Sequence, residues 1–323
     1  MVGSTAFKNS SPTSLRWIRA FYGFYSDLPA TLKREYEATP KIAPPEVWKT
    51  LGDEIVFVAP LANHQDAAIH VRRFINAVRS YRHDLKRSVP QLDLKSAVWV
   101  AGFPVGNTAV QLHKKYPLAN GGATDEGMIA VAVEDFIGPQ MDIGFRLCHA
   151  ASPRKLLVSV ELAYLLASGE PSGVEFYLDK GEPLKGVLSE KPYPMIWVDM
   201  FGSSPDDGHD ELAVLEDELR MVERTPCRHE KLTYYCRLFI ESAGAPLAIP
   251  FIDGDDRFEE RPEGYKENMA EIRKVWESLP DTIAEPEPER EGDQSDVNAF
   301  LEKFRRFMDL DDETKKLDEN RST

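Results

Sequence analysis

With 323 residues, 42% of them apolar, the chain is long enough to bury one large core or two small ones. Its 39 basic and 54 acidic residues leave a net charge of −15, which gains nothing from displacing phosphate counterions and argues against general nucleic-acid binding. No apolar run reaches the roughly 18 to 20 residues of a membrane span and no basic-then-apolar leader opens the sequence, so a soluble, cytoplasmic protein with no direct membrane association is expected.

In chain order, residues 1–7 read as the end of a strand or the loop leaving it. Leu15, Ile18, Phe21, Tyr22, Tyr25, Leu28 and Leu32 then recur at helical spacing and predict a long, aromatic-rich helix disturbed at Pro29. A Pro-rich segment, Thr39 to Pro45, delivers the chain to Glu46–Pro60, where two β-rich runs flank Leu51-Gly-Asp-Glu54. That pattern predicts a hairpin with Asp53 at its tip and Lys49 four residues upstream. Ala67, Val71, Phe74, Ile75 and Val78 mark the apolar face of a helix from about Asp66 to Leu85, with Arg72, Arg73, Arg79 and Arg82 on a solvated outer face.

Ser96 to Phe103 and Met128 to Val133 are strand candidates on either side of a Gly/Asn-rich insert at Asn120-Gly-Gly-Ala. Gly138 to Ala151 reads as a turn opening into a helix, and Arg154 to Glu161 as a strand running into a short helix. Val174 to Leu178 and Tyr193 to Asp199 complete the strands, giving an antiparallel sheet with helices on one face. Beyond Phe201 the sequence turns charged and helical, roughly 210–222, 230–241 and 262–279. Pro280 to Asp296 lacks apolar content and reads as a disordered linker, followed by a short amphipathic helix at 297–308 and a mobile acidic end. Three regions result: 1–200, a helical extension 201–279, and a tail 280–323.

The three cysteines, Cys148, Cys227 and Cys236, are an odd, sparse set that suits a reducing compartment. Cys227, His229 and Cys236 fall one ligand short of a zinc site, and the seven histidines, which lack a His-Glu-x-x-His pattern, read as scattered surface residues.

Lys49-Thr-Leu-Gly-Asp53 resembles the Lys-x-x-Gly-Asp hairpin of class III nucleotide cyclases, which convert a nucleoside triphosphate into a 3′,5′-cyclic monophosphate and pyrophosphate. Asp135-Phe-Ile-Gly-Pro-Gln-Met-Asp-Ile-Gly-Phe-Arg146 is similar to the family's Asp-x-x-Gly-x-x-Val-Asn-x-Ala-x-Arg. Met1-Val-Gly-Ser-Thr-Ala-Phe7 resembles the loop after the family's first metal-binding Asp, a residue that by this register stands one position before Met1.

The resemblance implies an α+β fold: the ferredoxin-like class III sheet with an added C-terminal helical region. It also implies two Mn²⁺ or Mg²⁺ ions, about 3.5 to 4 Å apart in such sites, that polarise the attacking 3′-oxygen and clamp the phosphates. Asp53 would be one metal ligand, with Met1 at a position whose carbonyl also reaches a metal, and Gly3, Ser4 and Thr5 would offer backbone amides to phosphate. Arg146 matches the arginine that meets transition-state charge. Asp142 stands where most relatives carry a ribose-orienting Asn, and a carboxylate accepts hydrogen bonds but cannot donate them.

Lys49 and Asp135 match the base-recognition pair of adenylate cyclases and point to adenine. The opening segment, Asp142-Ile-Gly-Phe-Arg146, Leu184-Lys-Gly-Val187 and Tyr193-Pro-Met-Ile-Trp-Val198 look more like the bacterial antiviral Pycsar cyclases. Those enzymes take UTP or CTP, and their cyclic product acts on a separate effector. The family's shared sites imply a homodimer. The alternatives are an adenylate cyclase and a cyclase-fold regulatory or binding protein impaired in turnover.

Overall fold

Two amphipathic helices carry the longest apolar stripes, and each buries its stripe against the other. The computed structural model describes residues 1–10, 16–37, 42–117, 128–169, 173–201, 215–216, 218–219, 221 and 225–278. In chain order its elements begin with α1 (Ser4–Ser10), α2 (Arg16–Arg34), the strands β1 (Glu46–Leu51) and β2 (Glu54–Val58), and α3 (His64–Ser88). There follow β3 (Ala97–Val98), β4 (Thr108–Pro117), β5 (Met128–Ile137), α4 (Pro139–Ala150), β6 (Lys155–Val158) and α5 (Val160–Ser168). The chain continues through β7 (Tyr177–Pro183), β8 (Pro192–Asp199), α6 (His229–Ala243) and α7 (Tyr265–Ser278).

Phe24 and Leu28 of α2 share one core with Val71, Ile75, Val78 and Tyr81 of α3. Helix α3 opens on Asn63, whose side chain accepts the Asp66 N–H at 3.0 Å, satisfying one of the free amides of its first turn. Asp255 holds the same end from afar, accepting from the His64 backbone N–H at 2.6 Å and pairing with its Nδ1 at 2.7 Å.

The strands form three separate sheets among the described residues: the β1–β2 hairpin, the β4–β5 pair, and a four-stranded sheet in the order β3-β6-β8-β7. Strand β8 is buried along its length apart from Pro192, as expected of a strand covered on both faces. Ser159 caps α5, and α6 packs on α5 through Leu232, Cys236 and Ile240, one stripe at four-residue spacing. One compact unit comprises Met1–Val110 and Asp135–Ser278. Gln111–Glu134 belong to a second unit, whose described part is the paired stretches 111–117 and 128–134.

The protein is α+β, with antiparallel pairing in β1–β2, β6–β8 and β7–β8. It departs from a single antiparallel sheet: β3 and β6 run parallel, and the hairpin pairs with neither. Only Ala97–Val98 of the expected strand at 96–103 is a strand, because β6 pairs with one side of it for that length alone. Of residues 1–7, expected as a strand end or loop, Val2 makes an isolated bridge to Asp93 and Ser4 to Phe7 already belong to α1.

The arginines of α3 are not uniformly solvated. Arg79 donates to the carbonyls of Met200 at 3.0 Å and Asp199 at 2.7 Å, and Arg82 grips Asp93 through two bonds of 2.7 and 2.9 Å. Nor are the histidines all surface residues: His70 bonds Tyr36 Oη at 2.6 Å, and His64 is held by Asp255. The insert at 120–123, most of the helix expected at 210–222, and the linker and tail at 280–323 lie outside the described residues.

Candidate functional site

The hairpin owes its turn to Gly52, whose φ of +60 suits the first central position of a two-residue type II′ turn between Leu51 and Glu54. The Tyr25 hydroxyl donates to the Gly52 carbonyl, tying the turn to α2. Asp53 follows at the tip. Met1 lies beside it, donating from its N-terminal nitrogen to the Asp53 carbonyl at 2.7 Å and facing Oδ2 at 3.3 Å. Burial raises the Asp53 carboxyl, but a hydrogen bond from Ser4 and the Met1 ammonium outweigh it, so the group titrates below the usual carboxylate range.

On the strand leading to this turn there is a bulge. Val47 faces Phe57 and Lys49 faces Val56, so Trp48 is an extra residue without a cross-strand partner. A bulge re-aims side chains, and here Trp48 and Lys49 are both half-buried where strict alternation would separate them. The Lys49 ammonium lies 4.0 Å from the centre of the Trp48 ring and pairs with Asp135 Oδ1 at 2.6 Å. Asp135, 86 residues later, also accepts the N–H of Phe136 at 3.0 Å.

Aromatic rings surround the pair: Trp48 meets Phe136 at 4.9 Å and Phe145 at 6.2 Å, and Trp99 meets Phe145 at 5.8 Å. The Trp48 indole N–H is buried with no partner among the described residues. The motif match does not announce this aromatic setting, although Trp48, Phe136 and Phe145 each adjoin a motif residue, Lys49, Asp135 and Arg146.

Gly138 carries a local role that its motif position does not reveal. Its φ is +145, and a side chain there would stand 2.4 Å from Asn107 Oδ1. Asn107 in turn joins the start of α4 to the preceding loop, bonding Gly102 O at 2.9 Å and Gln140 Oε1 at 2.8 Å.

From that start α4 presents Asp142 and Arg146, one turn apart, as exposed residues. Arg146 Nε donates to the Lys185 carbonyl at 3.1 Å, and among the described residues it makes no bond to Asp53, Lys49 or Asp135. At the chain start, Gly3 has a φ of +79, and a Cβ there would sit 2.6 Å from the Gln91 carbonyl oxygen, so close backbone approach already requires glycine. Ser4 is buried beside Asp53, while Thr5 is exposed.

Asp53 alone does not fit a two-ion centre. It brings one carboxylate, and one of its oxygens faces an ammonium. The cluster of three metal-capable side chains found among the described residues is elsewhere, at His64, Asp255 and Asp256. In that cluster Asp255 is already committed to His64 and to the N–H groups of Arg257 and Phe258. The site residues thus fall into three groups: Met1, Ser4 and Asp53; Lys49 with Asp135; and Asp142 with Arg146 on the outer face of α4.

No protein-family model matches the chain. No curated protein matches it. Among solved structures, the crystal structure of the guanylyl cyclase Cya2 aligns with a TM-score of 0.40 and 12% identity, covering 62% of this chain and 88% of that one. A likeness at that level carries no argument about this chain's activity. No helix among the described residues is long and apolar enough to cross a membrane.

Proposed function

We propose that the chain is a nucleotide cyclase of the class III type, recognising the base of a nucleoside triphosphate at Lys49 and Asp135 and its phosphates near the hairpin turn. The observation that carries this reading is the Lys49–Asp135 pair: two motif residues 86 positions apart meet at 2.6 Å against an indole face. Aromatic faces stack bases of any sequence, and an ammonium beside a carboxylate offers a donor and an acceptor to a base edge. The substrate, by resemblance, is UTP or CTP, and the cyclic product is a messenger for an effector in antiviral defence.

Arg146 acts from a second copy in this reading. Its exposure on α4 and its lack of a described bond to Asp53 suit a residue supplied across a dimer. Mn²⁺ or Mg²⁺ would neutralise the phosphates, with Asp53 as one ligand. The donors among the described residues do not complete a two-ion centre.

Two other readings each have one observation in favour. The engaged Lys49–Asp135 pair favours adenine as the base. Asp142, a carboxylate where the family's pattern has a ribose-orienting Asn, favours a protein that binds nucleotide without turnover.

The test is incubation of the full chain with Mn²⁺ and ATP, GTP, CTP or UTP separately, with cyclic product read by mass spectrometry and binding by calorimetry. Cyclic UMP or cyclic CMP is expected. Consumption of ATP alone transfers the assignment to adenine, binding without product selects the regulatory reading, and neither binding nor product overturns the proposal.

A further inference from the structure

Arg146 is held by backbone, and the backbone that holds it is a turn. Its Nε donates to the carbonyl of Lys185, 39 residues away, at 3.1 Å. No other bond of Arg146 is found among the described residues, so the donors on Nη1 and Nη2 are left for a ligand.

Leu184 to Val187 form a β-turn closed by the Val187 N–H, which donates to the Leu184 carbonyl at 2.9 Å. Gly186, the third residue, has a φ of +75, while Lys185 is not among the described non-glycine residues at positive φ. That combination defines a type II turn. In type II the second residue has a ψ near +120 and the third a φ near +80; in type I these become about −30 and −90. Exchanging the two reverses the Lys185–Gly186 peptide and leaves the ends of the turn in place. The carbonyl that Arg146 meets points at it in the type II form and away from it in type I.

The ends are fixed. Leu184 and Val187 are buried in the core, while Lys185 and Gly186 between them are exposed. Leu188 and Ser189 follow with φ of +50 each, a left-handed pair in which neither residue is glycine. Such a backbone costs energy and persists where its surroundings dictate it, so the segment that meets Arg146 holds one definite shape. A Cβ at Gly186 would meet nothing within 4 Å, and only the positive φ opposes a side chain there.

We propose that the Leu184–Val187 turn is the positioning element of Arg146: in its type II form the Lys185 carbonyl fixes the guanidinium by Nε and leaves Nη1 and Nη2 for the phosphates of a nucleotide, an assignment that rests on the nucleotide-cyclase reading. An arginine free in solvent loses rotamer freedom when it engages phosphate, and one already held by Nε loses less. The turn thus supplies orientation before the nucleotide arrives.

The test replaces Gly186 in the full chain by Asn, Ala and Val, in order of rising aversion to positive φ. Solvent exchange of the Arg146 Nε–H, read by NMR in ¹⁵N-labelled protein without nucleotide, reports the hold directly. Exchange is expected to be about five- to thirtyfold faster than in the parent for Gly186→Ala, less so for Gly186→Asn and more so for Gly186→Val. Gly254→Ala places the same strain at a φ of +84, also in open space, and is expected to leave Arg146 unchanged. Equal exchange in the parent and the folded Ala variant overturns the proposal. So does a parent whose Arg146 Nε–H exchanges at the rate of free arginine, a measurement that needs no variant to fold. With Mn²⁺ and nucleoside triphosphate, kcat is expected to fall in the same order, by at least about tenfold in Gly186→Val, with KM held within about threefold. A kcat that rises along the series makes the contact a restraint on Arg146 and overturns the proposal. Absence of cyclic product from the parent marks failure of the cyclase reading instead, and exchange alone then decides whether the turn holds Arg146.

Discussion

Glu161 ties the stability of this fold to pH. It lies in the first turn of α5, is 3% exposed, and neither carboxylate oxygen completes a hydrogen bond among the described residues. Burial pushes the carboxyl from an ordinary 4.5 up to about 7, with its own N–H, Gln140 and Tyr193 pulling only part of the way back. A folded pKa above the unfolded one means that the folded chain holds a proton the unfolded chain has released. The contribution of Glu161 to stability is therefore fully present below about 4.5, falls as pH rises, and is lost above about 7. The shift corresponds to roughly 3 kcal/mol, at about 1.4 kcal/mol per pH unit.

Replacement by Gln keeps the shape and removes the titration. The difference in unfolding free energy between Glu161→Gln and the parent is then expected to grow by roughly 3 kcal/mol in favour of the variant from pH 4.5 to pH 8. Urea unfolding at pH 4.5, 5.5, 6.5, 7.5 and 8, read by tryptophan fluorescence, measures it. Cys236 and Tyr193, which face Glu161, are themselves pushed upward by burial, Cys236 to about 12, so neither ionises in this window. A difference that stays constant within about 0.5 kcal/mol across the range would mean that Glu161 is solvated, and the reasoning fails.

Gly144→Ala should cost about 1 to 3 kcal/mol in urea unfolding, because the new methyl would stand 2.2 Å from the Trp99 ring that packs on α4. An unchanged midpoint would show that the Trp99 ring moves aside freely. Arg82→Ala should cost about 3 kcal/mol at pH 7, since it strips the two-bond partner from the buried Asp93. Burial raises the Asp93 carboxyl, but its bonds to Arg82, Leu94 and Lys86 outweigh this, so its contribution is lost as pH falls through the depressed pKa. The Arg82→Ala penalty should shrink accordingly in acid, as measured by melts at pH 3 and pH 7. If the chain turns over nucleotide, Arg146→Ala should lower kcat far more than it raises KM, because a transition-state contact is made late. Equal losses would mark it as an ordinary phosphate contact.

The hairpin and the two long helices were legible because their signals are local. Gly52-Asp53 between two β-rich runs needs only a positive φ at one glycine, and the α3 stripe needs only its own spacing. What escaped depends on partners distant in sequence. Arg79 and Arg82 sit among charges on a helix face, and nothing nearby announces that Asp199, Met200 and Asp93 meet them. The length of β3 was misread for the same reason: Ser96–Phe103 has strand composition, but a strand ends where its pairing ends.

The Trp48 bulge links what was legible in the site to what was not. Motif spacing places Lys49 four residues before Asp53, and it does so whatever the register of the hairpin. Register decides which way Lys49 points. Without the extra residue, Trp48 and Lys49 would alternate across the sheet, and either the indole or the ammonium would leave the Asp135 side. With it, both face Asp135, Phe136 and Phe145, and a lysine that spacing alone marks as one of a pair acquires a carboxylate on one side and an indole on the other. The recognition chemistry proposed for this site therefore rests on one inserted residue in a six-residue strand.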